Sequence, residues 1–186
     1  MARPLSTEAR DKMVLAAQQL IGDHGVEGFT VDEVARRSGV AKTTIYRHFP
    51  NPNDLAIEAI DCMVEPFEEF DTGELRGDLL AFFGQVLPHM HEPEMREAMA
   101  GLFSLAAREP EFGRMHKAMI DERKQPMRRA LQRAIARGEV DPDIDLELAI
   151  DMFEGPLIYR RILLDETVTP QMLEQMVDFV LRAVRR

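Results

Sequence analysis

The stretch FTVDEVARRSGVAKTTIYRHF, residues 29–49, decides how this chain reads. Thr30, three residues ahead of Glu33, spells a capping box in which the hydroxyl takes a free helix amide and the carboxylate returns to the cap. Ser38-Gly39 breaks that short helix after Arg37, and a second, about Lys42 to His48, ends at Phe49-Pro50. Val31, Val34 and Ala35 on the first can meet Val40, Ile45 and Phe49 on the second, with Gly39 in the turn. Lys42, Thr43, Tyr46 and Arg47 then share the outward face. Two short helices joined by a tight glycine turn form the unit that lays its second helix into a DNA major groove. A cation, a hydroxyl with a methyl, a phenol and a guanidinium suit guanine edges, thymine methyls and phosphates. Thr30 leaves a helix N-terminus open to a phosphate. Thr44 and His48 complete the candidate contacts, although His48 lies three residues from Ile45 and so borders the inward face. The same residues also describe an ordinary helical hairpin with a solvated polar face.

Working outward, nearly every segment reads helical, and no sustained apolar/polar alternation between hairpin turns marks a strand. Met13, Ala16, Ala17, Leu20 and Ile21 recur at helical spacing before Gly25. Asn51-Pro52 supplies a cap and a first-position proline for a helix predicted to reach about Phe70. Beyond Thr72-Gly73, helices are punctuated by Pro88, Pro93, Pro110, Pro126 and the turn at Arg137-Gly138-Glu139. Asp145 opens a helix with an expected kink at Gly155-Pro156, and Thr169-Pro170 opens the last, whose stripe is Leu173, Met176, Val177, Val180 and Val184. The expectation is an all-α chain of about nine helices: an N-terminal three-helix, helix-turn-helix head and a C-terminal helical body.

The 186 residues suffice for one domain, or one with a small attached head, and 45% hydrophobic with 30% charged is ordinary for a globular protein. The net charge of −10 argues against a general nucleic-acid binder, but it is unevenly spread. Residues 1–50 carry seven Lys/Arg against six Asp/Glu, whereas the remaining 136 carry 16 against 27. That pattern could present one end to a polyanion. The longest apolar runs, Met13 to Ala17 and Leu79 to Phe83, fall far short of the ~20 residues of a membrane helix. With no export signal in MARPLSTEARDK, the expected location is cytoplasmic, with no membrane partner.

A single cysteine, Cys62, excludes an internal disulfide and a cysteine-based zinc site, and its neighbours Ala59, Ile60 and Met63 suggest a small buried hydrophobe. His89, His91, Glu92 and His116 invite a metal reading, but histidines two apart on a helix point roughly 200° apart, so no metal is expected. Glycine-rich phosphate loops, nucleophile elbows and His-Glu-x-x-His helices are absent from the sequence, which argues against an enzyme and implies no cofactor. An enzyme and a protein-interaction adaptor without DNA binding are the alternative classes. A salt-sensitive shift of duplex DNA separates both from a DNA binder.

The N-terminal ~55 residues resemble the DNA-binding domain of the TetR family of transcriptional regulators. Met13 to Gly25 is similar to that family's first helix. FTVDEVARRSGVAKTTIYRHFPNPNDL is similar to its signature of helix, glycine turn, recognition helix with Tyr and terminal Phe, and capped fourth helix. RGEVDPDIDLELAIDMFEGPLIYRRILL, residues 137–164, resembles the end of the effector domain in one subgroup. The sequence departs from the pattern at Ala41, where a Ser commonly caps the recognition helix. It departs again at Asn51-Pro52-Asn53, where a lysine near phosphate is lost. More phosphate affinity then falls to Arg3, Lys42 and the helix N-termini.

The resemblance implies a DNA-binding domain at 1–51 and an effector-binding and dimerisation domain at 52–186. It implies a homodimeric regulator, most often a repressor, that grips a pseudo-palindromic double-stranded operator and is released by a small molecule. Flexible methionines interspersed with phenylalanines suit an apolar or amphipathic effector, at Phe82, Phe83, Val86, Met90, Met99, Phe103, Met119 and Phe153. The last two helices, with Met152, Leu157, Ile158, Met172, Met176 and Phe179, are the expected dimer interface.

Overall fold

Helix α1 (Thr7–His24) buries Met13, Val14, Ala16, Ala17, Leu20 and Ile21 and stops at Gly25, whose φ of 68° suits a residue without Cβ. The computed structural model describes residues 7–63 and 67–185. Among them are ten α-helices, a 3₁₀ turn at Val26–Gly28 and a π turn at Tyr159–Leu163. The only strand-like pairing among the described residues is an isolated bridge between Val140 and Arg185. The fold is all-α, with one helix more than the sequence predicts.

The chain divides into two compact units, Met1–Glu65 with Pro93–Met119, and Pro66–Glu92 with Ile120–Arg186. In the first, α1 packs on α2 (Val31–Ser38) and α4 (Pro52–Asp61), and α2 holds α3 (Lys42–His48). Val34, Ile45 and Leu55, all fully buried, join the α1 stripe in one core. Helix α6 (Pro93–Arg108) adds Ala98 and Leu102, and α7 (Pro110–Arg123) adds Phe112. Gly101 lets α6 approach the 3₁₀ turn: a Cβ there would sit 3.2 Å from that of Val26.

In the second unit, α5 (Leu75–His91) packs on α8 (Gln125–Arg137) and α10 (Pro170–Val184), and α9 (Leu146–Ile158) packs on α8 and α10. Leu79, Phe83, Leu131, Ile150, Phe153 and Val177 form its centre. The predicted caps are made: Asn51, Asp145 and Thr169 accept from the amides of Asn53, Leu148 and Met172 at 3.0, 3.0 and 3.2 Å.

Several local expectations fail. Helix α4 ends at Asp61 and does not reach Phe70. Glu68 instead donates its amide to Gln85, while Glu69 receives Arg129 and Arg133 of α8, so Phe67–Phe70 is held out of the helix. Cys62 consequently caps α4 and is exposed, not buried. Pro88 does not end α5, which runs on to His91 with the proline inside the helix. Helix α9 runs on through Pro156 and loosens at Tyr159–Leu163. There Arg161 is buried, donating Nε to the Met90 carbonyl at 2.6 Å and Nη1 to Asp165 at 2.6 Å.

Candidate nucleic-acid interface

The interface is built by the glycine turn. Gly39 takes φ 69°, ψ 11° and returns its amide to the Ala35 carbonyl at 3.1 Å, ending α2 and turning the chain into α3. Ser38 Oγ accepts from the Val40 amide at 3.1 Å and stiffens the same corner. Ala41 begins α3 without a side-chain cap, as the sequence indicates. Ile45, fully buried, and Phe49 anchor α3 on the core. With that side fixed, helical geometry turns Lys42, Thr43, Tyr46 and Arg47 to solvent, and all four are exposed. Thr44 and His48 are half-buried at the edge of this face, and His48 Nε2 is buried without a hydrogen-bond partner. Arg3 lies outside the described residues.

The cap of α2 is half of the expected box. Thr30 Oγ1 accepts from the Glu33 amide at 3.2 Å, but the Glu33 carboxylate turns away to Arg36 (Nε at 2.9 Å) and Arg37 (3.1 Å). Those two guanidiniums hold it far below the usual carboxylate range, at about 2. Arg37 also reaches Asp23 at 2.6 Å, so Arg36 and Arg37 serve ion pairs inside the head. Arg10 stacks on the Phe49 ring at 5.9 Å and pairs with Glu58 at 2.6 Å, tying α1 to both α3 and α4. One contact has no sequence signature: Lys42 Nζ lies 2.7 Å from Asp32 Oδ1. The two residues stand on different helices, and no spacing rule links them.

The expected effector residues separate between the two units. Phe82, Phe83, Met90 and Phe153 are buried in the second, with Val86 packed against them. The rings of Phe82 and Phe83 meet at 5.3 Å, and those of Phe83 and Phe153 at 6.3 Å. Met99, Phe103 and Met119 belong to the first unit, all half-buried, with the Phe103 ring 5.8 Å from His116. Burial lowers the pKa of His116. Sequence reasoning missed a cleft of about 520 Å³ in the first unit, lined by Val26, Phe29, Asn53, Ala56, Leu105, Arg108 and Glu109. Its walls come from three separate stretches of chain, so no local pattern announces it. No three His, Cys, Asp or Glu side chains among the described residues are grouped to hold a metal. Likewise, none of the described helices is long and apolar enough to cross a membrane.

Of the expected interface residues, Met152 and Phe179 are exposed and Met172, Met176 and Ile158 half-buried, whereas Leu157 is buried in its own unit's core. The exposed apolar face is wider than expected, adding Leu148, Tyr159, Leu163 and Leu164. The recurrence of Leu148, Met152, Tyr159 and Leu163 at steps of four, seven and four residues was the available signal. Between α9 and α10 runs a groove of about 340 Å³ lined by Met152, Pro156, Arg160, Met172, Gln175, Met176, Phe179 and Val180.

Comparison with known proteins bears on this arrangement directly. Residues 14–59 match the family described as bacterial regulatory proteins, tetR family, and residues 70–180 match the tetracyclin repressor-like C-terminal domain. The chain is 32% identical over 188 residues to the DNA-binding transcriptional repressor TetR of Mycobacteroides abscessus, covering 97% of this chain and 95% of that protein. It is 26% identical to the transcriptional regulator SrpR of Pseudomonas putida, over 83% of this chain and 76% of SrpR. Among solved structures, the TetR family transcription regulator SCO0332 superposes with a TM-score of 0.74 at 26% identity, covering 96% of this chain and all of that one. The glycine-turned head and the helical second region thus agree with sequence and fold comparisons alike: the chain belongs to the TetR family of transcriptional regulators, with a helix-turn-helix DNA-binding domain.

Proposed function

We propose that the protein is a repressor that grips a pseudo-palindromic operator as a homodimer and lets go when a small apolar or amphipathic molecule binds. The observation that carries this reading is the outward face of α3, where Lys42, Thr43, Tyr46 and Arg47 stand exposed together over a buried Ile45. Tyr46 and Arg47 read base edges, Lys42, His48, Arg3 and the N-terminus capped by Thr30 hold phosphates, and Thr43 and Thr44 supply hydroxyl and methyl contacts. Residues 1–51 do the reading, and residues 52–186 carry dimerisation and effector sensing.

One head offers few contacts, so specificity calls for two, set about one helical turn (~34–36 Å) apart. The exposed apolar face of α9, the π turn and α10 supports pairing about a two-fold axis, where a patch of this kind otherwise faces water. Phe82, Phe83, Val86, Met90 and Phe153 form the first candidate effector site, because aromatic and thioether groups repack at little cost. The cleft where Val26 and Phe29 of the head meet Asn53, Ala56 and Leu105 of the body is the second, since its volume of about 520 Å³ lies in the range of small-molecule sites. Effector release then needs only ~1–3 kcal/mol of coupling.

Selection of bound duplexes from a random pool by the full-length protein tests the reading. A two-fold symmetric consensus bound by a dimer is the expected result. An unstructured consensus, or binding by a monomer, overturns it.

A further inference from the structure

The recognition face carries its own acid. Lys42, the first residue of α3, is held by Asp32, the second residue of α2. The two side chains are 53% and 73% exposed, so water screens the pair and it contributes little to folding. Its location has the larger consequence. Asp32 lies in the first turn of α2, where spare amides and the helix dipole favour an incoming phosphate. One carboxylate therefore opposes a polyanion twice, by neutralising Lys42 and by placing negative charge at the N-terminus of α2. Arg36 and Arg37 are engaged elsewhere, by Glu33 and Asp23. Arg47, the other cation on the outward face, has no carboxylate partner among the described residues. Among the described residues, the outward face of α3 thus holds Arg47 ready and Lys42 committed.

We propose that Asp32 is an acidic brake on DNA binding, a positioning residue that acts through Lys42. Seating α3 requires Lys42 to leave Asp32 for a phosphate, and the carboxylate left behind then faces the duplex. Both costs fall on any DNA, because phosphates carry no sequence. The brake therefore lowers absolute affinity without choosing among sequences. It keeps the head's grip weak enough for a modest coupling to release it. The inference rests on the reading of α3 as the helix that enters the groove.

The experiment measures binding of full-length D32N, K42Q and the double variant to a random-sequence duplex and to a duplex selected by the parent, across a salt series. D32N should bind both duplexes about two- to fivefold more tightly, the range that breaking an exposed ion pair allows. The gain should shrink as salt rises, and in the K42Q background it should fall to the smaller part owed to the carboxylate's own charge beside the duplex. If D32N binds like the parent or more weakly, Asp32 is no brake. If the gain is as large without Lys42, the pair is not its route. Both results overturn the proposal while the groove-binding reading of α3 stands. A parent that binds neither duplex overturns both.

Discussion

The two candidate working surfaces of this protein differ in kind. The α3 face is small, polar and charged, with each side chain set by two buried anchors, Ile45 and Phe49, and one glycine turn at Gly39. The face of α9, the π turn and α10 is broad and apolar, spread over Leu148, Met152, Tyr159, Leu163 and Phe179. The first can be read from residue types, because recognising a polyanion needs particular groups at particular spacings. The second uses the residues a core uses, and only exposure distinguishes an outward leucine from an inward one.

The largest expected effect breaks the apolar surface. Leu163 and Phe179 are 69% and 64% exposed, so Leu163→Glu with Phe179→Glu should leave the fold intact. Light scattering should report a monomer, and operator binding should drop by about a hundredfold or more, because the second head no longer binds at high effective concentration. A double variant that remains a dimer with parental affinity removes this face from the account. On the polar surface, Arg47→Ala should cost ~1–3 kcal/mol of discrimination among operator variants, read from competition binding. If the variant ranks those operators as the parent does, Arg47 does not read bases.

The comparison sharpens at Glu154, on α9 itself. Its side chain is only 31% exposed. Burial pushes its pKa up to about 7, against the pull of Lys124, whose ammonium lies 3.9 Å away, and with a further push from Asp151 and Glu147. A carboxyl whose folded value lies above its unfolded value near 4.5 takes up protons on folding, so its contribution to stability falls as pH rises between the two values. Glu154→Gln should therefore gain about 1 kcal/mol at pH 8 relative to the parent, and little at pH 4, after allowing for solvent at the site. Urea melts at both pH values check this, and a parental pH slope in the variant refutes the assignment. The smallest effect belongs to the recognition helix. Ala41→Ser supplies the missing cap of α3 and should raise stability by ~0.5–1 kcal/mol, visible as a higher melting temperature. No rise would mean that a serine at this corner does not reach the α3 amides.

Legibility followed the range of the forces involved. The helix starts at Thr30, Asn51, Asp145 and Thr169 were readable because a cap is a contact within three residues. The returning carboxylate of Glu33 was not, because Arg36 and Arg37 offer it charge where the cap offers one amide. The end of α4 was misread because the residues expected to continue it are claimed by Gln85, Arg129 and Arg133, between 17 and 64 positions away.

By itself, the sequence determined the all-α class, the glycine-turned head and the outward set of Lys42, Thr43, Tyr46 and Arg47, since helical period and turn chemistry are local properties of the chain. Only the tertiary structure decided that Asp32 holds Lys42, that Cys62 is exposed, that Leu157 faces inward while Leu163 faces out, and that a cleft opens beside Phe29 and Asn53. Each of these depends on which distant residues arrive at the same place. That is settled by packing the whole chain, and no short window of sequence contains it.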